Sequence, residues 1–146
     1  MANIEMDIES IRVNRASNQR VVLLKEREKE WYLPIWIEPT EVDAMVVSLQ
    51  PFKIARPLTH DLICAIIKVF GGKINGVLID EVRGTTFFAK LIVADKAGVM
   101  QFPCSPSDGM GLAIRAKAPI FVESSILDIF GIPGPGGTNP HSSEKQ

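Results

Sequence analysis

Seven consecutive residues, Arg56-Pro57-Leu58-Thr59-His60-Asp61-Leu62, bring a guanidinium, an imidazole and a carboxylate into one short stretch. The stretch reads as a helix entrance: Thr59 can cap it, and Leu62, Ile66, Val69 and Phe70 recur at helical spacing as its apolar stripe. Backbone N–H groups at a helix entrance lack internal partners, so they favour carboxylates and can also hold an anion such as phosphate. A histidine beside a carboxylate can transfer protons, and an arginine can neutralise a phosphate. Acidic residues can instead hold a divalent cation such as Mg2+ or Mn2+. His60 is one of two histidines, the other being His141 near the end of the chain, so imidazole chemistry falls to His60.

Two further helix entrances carry acids. Glu41 and Asp43 follow Pro39, and Asp108 follows Pro106-Ser107. His60, Asp61, Glu41 and Asp108 are therefore the candidate catalytic groups, with Arg56, Ser107 and Thr59 as candidate substrate contacts. Each also has a structural role open to it. First-turn acids complement the helix dipole, and hydroxyls cap helices. Neighbouring helical residues diverge by about 100°, so His60 and Asp61 cannot face one ligand without help. A serine nucleophile is disfavoured when only one histidine can serve as its base. No P-loop, dinucleotide glycine fingerprint or zinc constellation is present, and Gly71-Gly72-Lys73 reads as a helix stop. The metal, if one is used, is not specified.

Positioning these groups requires alternating strands and short helices. Ile4–Val13 alternates polar and apolar, Val21–Leu24 returns from a turn at Ala16–Gln19, and Lys25–Glu30 reads as a charged link. Trp31–Ile37 is a third strand, with Trp31 and Trp36 serving core or interface, or alternatively a base-stacking platform. Pro39 then opens a helix whose Val42, Met45, Val46 and Leu49 face the core. After the Thr59–Phe70 helix come strands Ile74–Val82, Thr86–Ala94 and Val99–Cys104. A proline-led helix runs from Pro106 to Lys117, followed by a short strand at Pro119–Val122 and a helix at Ser124–Phe130. The junctions Ile37-Glu38-Pro39-Thr40-Glu41 and Cys104-Ser105-Pro106-Ser107-Asp108 echo one another. The echo suits either parallel capping chemistry or two repeated strand-strand-strand-helix modules.

At 146 residues and 46% hydrophobic, the chain can build one well-packed domain. Residues 1–132 are assigned to it, and 133–146, rich in Gly, Pro and Ser, to a disordered tail. A formal net charge of −1 argues against a general nucleic-acid binder, although a local basic patch drawn from Arg12, Arg15, Arg20, Lys53, Arg56, Arg83, Lys90 and Arg115 can suffice for a nuclease. No membrane-length apolar run and no leader pattern occur, so the cytoplasm is expected, with Cys64 and Cys104 as reduced, structural thiols. The expected fold class is α+β: a compact single domain with a mixed, mainly antiparallel sheet and helices.

Four segments resemble the bifunctional nuclease family: Tyr32–Ile37, Arg56–Leu62, Pro106-Ser107-Asp108 and Ala113–Val122. Their order and spacing cover roughly Ile4 to Ile132. The resemblance implies a compact α+β domain that self-associates, a homodimer by default, and a nuclease degrading DNA and RNA with little sequence preference. Three departures stand out. Glu38 replaces a glycine, Ser105 replaces an arginine before Pro-Ser-Asp, and Gly109-Met110-Gly111 replaces an alanine-rich turn. The competing expectation is a non-catalytic oligomeric module that binds an anion or ligand at the same helix entrances.

Overall fold

The computed structural model describes residues 2–14, 16–49 and 58–134. An antiparallel meander opens the chain: β1 (Asn3–Asn14), β2 (Gln19–Glu26) and β3 (Trp31–Ile37). Met6, Val22, Leu24, Trp31, Leu33 and Ile35 are buried while residues between them are not, so one face of each strand meets the core. Pro39 starts α1 (Pro39–Leu49), which buries Val42 and Met45. Helix α2 (Thr59–Val69) precedes a second meander, β4 (Lys73–Arg83), β5 (Thr86–Asp95) and β6 (Gly98–Cys104). Helix α3 (Pro106–Ala116), strand β7 (Ile120–Glu123), helix α4 (Ser124–Phe130) and the two-residue strand β8 (Ile132–Pro133) complete it.

One eight-stranded sheet runs β6-β5-β4-β7-β1-β2-β3-β8. Its pairings are antiparallel except β4–β7, which is parallel. The expected mixed, mainly antiparallel α+β domain is thus what forms. Strand-strand-strand-helix order occurs twice, β1-β2-β3-α1 and β4-β5-β6-α3, each meander leading outward from β7. The two proline-led helices pack on each other. The main core joins Leu24, Leu33 and Ile79 of the sheet to Met45, Met110 and Leu127 of three helices. A smaller core lies under α2, where Ile63, Cys64 and Ile67 cover Ile74, Leu91 and Val93. No helix among the described residues is long and apolar enough to cross a membrane.

Three sequence expectations change. Strand β2 continues through Glu26, with Lys25 paired to Asp7 and Tyr32, where a charged link was expected. Cross-strand backbone bonds on both sides hold that segment extended whatever its charge. Thr59 is the first helical residue rather than the cap; the Leu58 N–H donates to Asp61 Oδ2 at 2.9 Å instead. The stripe Leu62, Ile66, Val69 and Phe70 does not seat α2, since Val69 is 81% and Phe70 82% exposed. The helix is turned so that His60 meets α3, and that rotation commits Ile63, Cys64 and Ile67 to the core.

Candidate functional site

Helix α3 lies at the centre of the site, buried along Pro106, Ser107 and Gly109–Ala113. Its entrance is well determined. Ser105 caps it, its Oγ accepting from the Asp108 N–H at 3.2 Å, and Pro106 follows where no N–H is needed. Gly109 lets the helix settle onto β4, since a Cβ there would stand 2.4 Å from Val77 Cγ2. Asp108, Gly111 and Arg115 then fall three and four residues apart on one face, the face that meets α2.

Four side chains join across that contact. The His60 ring faces Asp108 with Nε2 3.0 Å from Oδ1, and its Nδ1 lies 3.2 Å from Arg115 Nη1. Arg115 Nε donates to Asp61 Oδ1 at 2.7 Å. A guanidinium can only donate, so Nδ1 must accept from it; the ring proton then sits on Nε2 and is donated to Asp108. The result is a carboxylate–guanidinium–imidazole–carboxylate chain from Asp61 to Asp108. Adjacent His60 and Asp61 do point apart, and Arg115 spans the divergence with two of its nitrogens.

Burial grades along this chain. His60 is 4% exposed and the Arg115 side chain 9%, whereas the Asp108 side chain is 63% exposed. The Leu58 N–H and then the Arg115 guanidinium hold the Asp61 carboxyl below the usual carboxylate range. Asp108 is therefore a water-facing carboxylate oriented by a buried imidazole. Such a group can accept a proton from water, or contact a cation. Gly111 makes room for the ring: a Cβ there would sit 2.6 Å from His60 Nδ1 and Cε1.

Beside this network the entrances of α1 and α3 share a cleft of about 520 Å3. Its lining includes Glu38, Glu41, Trp36, Ser105 and Ser107. Ser107 is 1% exposed, with its Oγ 3.1 Å from Ser105 Oγ. Glu41 accepts from the Glu38 N–H at 3.1 Å, holding its own helix entrance. The first turn of α3 separates the two regions, presenting Ser105 and Ser107 to the cleft and Asp108 to His60. Of the seven sequence-derived candidates, the structure joins His60, Asp61 and Asp108 in one network. It places Glu41 and Ser107 in the neighbouring cleft and leaves Thr59 exposed on α2. Arg56 lies outside the described residues. Arg115, counted from sequence in the basic patch and in the Ala113–Val122 segment but not as a site residue, is the connecting member; its signal was the 108–111–115 spacing on one helix face. Among the described residues no three His, Cys, Asp or Glu side chains converge on a position for a metal ion.

The cysteines stay free. Burial raises the Cys104 thiol to about 11, which keeps it protonated and unreactive.

Comparison with known proteins finds relatives of this chain. Residues 22–134 match the model of the bifunctional nuclease domain. An uncharacterised protein of Mycobacterium tuberculosis (strain H37Rv) is 38% identical over 128 residues, covering 88% of this chain and 76% of that protein. Bifunctional nuclease 2 of Arabidopsis thaliana is 27% identical over 112 residues, or 75% of this chain and 34% of that protein. Bifunctional nuclease 2 of Oryza sativa subsp. japonica is 28% identical over 120 residues, or 80% and 37%. The chain thus spans about a third of the length of these plant relatives.

Proposed function

The chain belongs to the bifunctional nuclease domain family, and from that premise we propose that it hydrolyses phosphodiester bonds of DNA or RNA. The observation carrying this reading is the exposed Asp108 carboxylate held by the buried His60 Nε2–H at 3.0 Å. In hydrolysis a water oxygen bonds to phosphorus, the bond to the leaving oxygen breaks, and the attacking water loses a proton. Asp108 is the acceptor of that proton. His60 and Arg115 act through it as positioning residues, with Asp61 holding Arg115 in place. The nucleic-acid strand crosses the first turn of α3, meeting Asp108 on one side and the cleft of Ser105, Ser107 and Glu41 on the other. The cleft lining contains no Lys or Arg among the described residues, so charge on the phosphate is met from elsewhere. Arg56 remains the sequence candidate for that role, and no step is assigned to Mg2+ or Mn2+.

One observation favours a second reading. Both His60 nitrogens are already engaged inside the protein, which also suits a brace between α2 and α3 in a non-catalytic ligand-binding module. Cleavage assays separate the two. Single-stranded DNA and RNA are incubated with wild-type protein, Asp108→Asn and His60→Gln, each with Mg2+, Mn2+ or chelator. Loss of the proton acceptor should slow cleavage by roughly 10²–10⁴-fold, with a smaller loss for His60→Gln. Equal cleavage by wild type and Asp108→Asn removes Asp108 from the mechanism; no cleavage under any condition leaves the binding module.

A further inference from the structure

Strand β3 carries two tryptophans in opposite settings. Trp31 is 3% exposed, and its indole N–H donates to the Leu127 carbonyl, as a buried tryptophan requires. Trp36 is 53% exposed and lines the cleft beside the His60 network. Around it, Asn18 and Gln19 offer amides, and Glu38 and Glu41 offer carboxylates, while no Lys or Arg among the described residues joins them. Glu41 is anchored at the cleft wall, because its Oε2 accepts from the Glu38 N–H at 3.1 Å. A carboxylate has lone pairs left for a further donor.

We propose that this cleft takes one unpaired base of the strand, stacked on Trp36 with its edge toward Glu41, and that it selects guanine over thymine or uracil. The inference rests on the nuclease reading and narrows it, since the family resemblance implies little sequence preference. Charge decides which part of a nucleotide enters. Two carboxylates without a cation repel a phosphate, whereas a neutral base is admitted. The indole face stacks on any base. The carboxylate then discriminates by edge, because it only accepts. Guanine presents N1–H and N2–H2 side by side; thymine and uracil present one N–H between two carbonyls that a carboxylate repels. In a duplex the edge is paired and the faces are stacked, so only a single-stranded or flipped base can enter. Volume agrees, since about 520 Å3 suits one small organic group. Ser107 lines the cleft and Asp108 follows it in sequence, facing His60, so the selected base neighbours the phosphate presented to Asp108.

Binding in chelator, read without turnover, tests this on the full chain. Fluorescence anisotropy compares labelled oligothymidylate with the same strand carrying one central guanine. Wild type should hold the guanine strand roughly 5–100-fold tighter. Trp36→Ala should weaken both strands by a similar factor, Trp36→Phe should keep most of the affinity, and Glu41→Gln should cut the guanine preference alone. Annealing the guanine strand to its complement should abolish the dependence on Trp36. Equal binding of the two strands by wild type overturns the proposal, as does Trp36→Ala binding like wild type, or no strand binding at all. Guanosine monophosphate binding as tightly as the strand also overturns it, by assigning the cleft to a free nucleotide. Should Trp36→Ala lose its far-UV dichroism, guanosine decides. It must quench the fluorescence of wild type more than that of Trp36→Phe, and equal quenching overturns the base site. The cleavage assay fails separately: this binding pattern without cleavage sinks hydrolysis alone, and cleavage lost in Asp108→Asn without guanine preference sinks the base site alone.

Discussion

Arg115 decides whether His60 can serve Asp108. A guanidinium with Nη1 at His60 Nδ1 and Nε at Asp61 fixes both the ring's plane and its proton position. Lysine keeps the charge without that two-armed geometry. Arg115→Ala should lower stability by roughly 1.5–3 kcal/mol in urea titrations, and Arg115→Lys should recover stability better than cleavage. Asp61 gives the network a pH signature. Its carboxyl is depressed in the folded state, so the unfolded chain takes up protons first on acidification. The stabilisation is complete above the ordinary carboxyl value of 3.8 and is lost as pH falls from there through the folded value. Urea midpoints of wild type and Asp61→Asn should accordingly differ by a constant amount above about pH 5 and converge in acid.

Glycine in a helix ordinarily costs about 1 kcal/mol against alanine, yet α3 has two in its first six residues. Both answer to contacts. Gly109 lies where a Cβ would strike Val77, and Gly111 where it would strike the His60 ring. Gly111→Ala therefore trades a propensity gain for overpacking, with a net loss of about 1–3 kcal/mol. It should also displace His60 and reduce cleavage, measured beside the Tm. An unchanged Tm and full activity would show that the ring has room to move. Ser105, a departure from the pattern the resemblance implies, has a use of its own as the α3 cap. Glu38 has no such account beyond its backbone accepting and donating at the start of α1.

Two meanders leading outward from β7 bring both proline-led helix entrances to one cleft. Among the described residues, the same architecture leaves apolar side chains of β6 and the outer flank of α2 exposed. The two junctions also differ in use: Glu41 holds its own helix entrance, whereas Asp108 is turned to His60.

Much of this molecule is written in local chemistry. Polar–apolar alternation marks β1, apolar, aromatic and β-branched runs between turns mark β2 through β6, Pro39 and Pro106 mark two helix starts, and Gly71-Gly72 marks a stop. These signals are short-range, acting through backbone preference and side-chain period, so one dimension suffices to read them. His60, Asp61 and Asp108 were likewise visible as chemistry-bearing residues at helix entrances. Their union was not, because it spans 48 residues from His60 to Asp108 and depends on the angle between two helices. The facing of α2 shows the same limit. Its most regular apolar stripe is solvent-exposed, because the rotation of a helix about its axis is set by what it packs against. Tertiary contact alone made Arg115 the link, required Gly111, and decided which side of α2 carries chemistry.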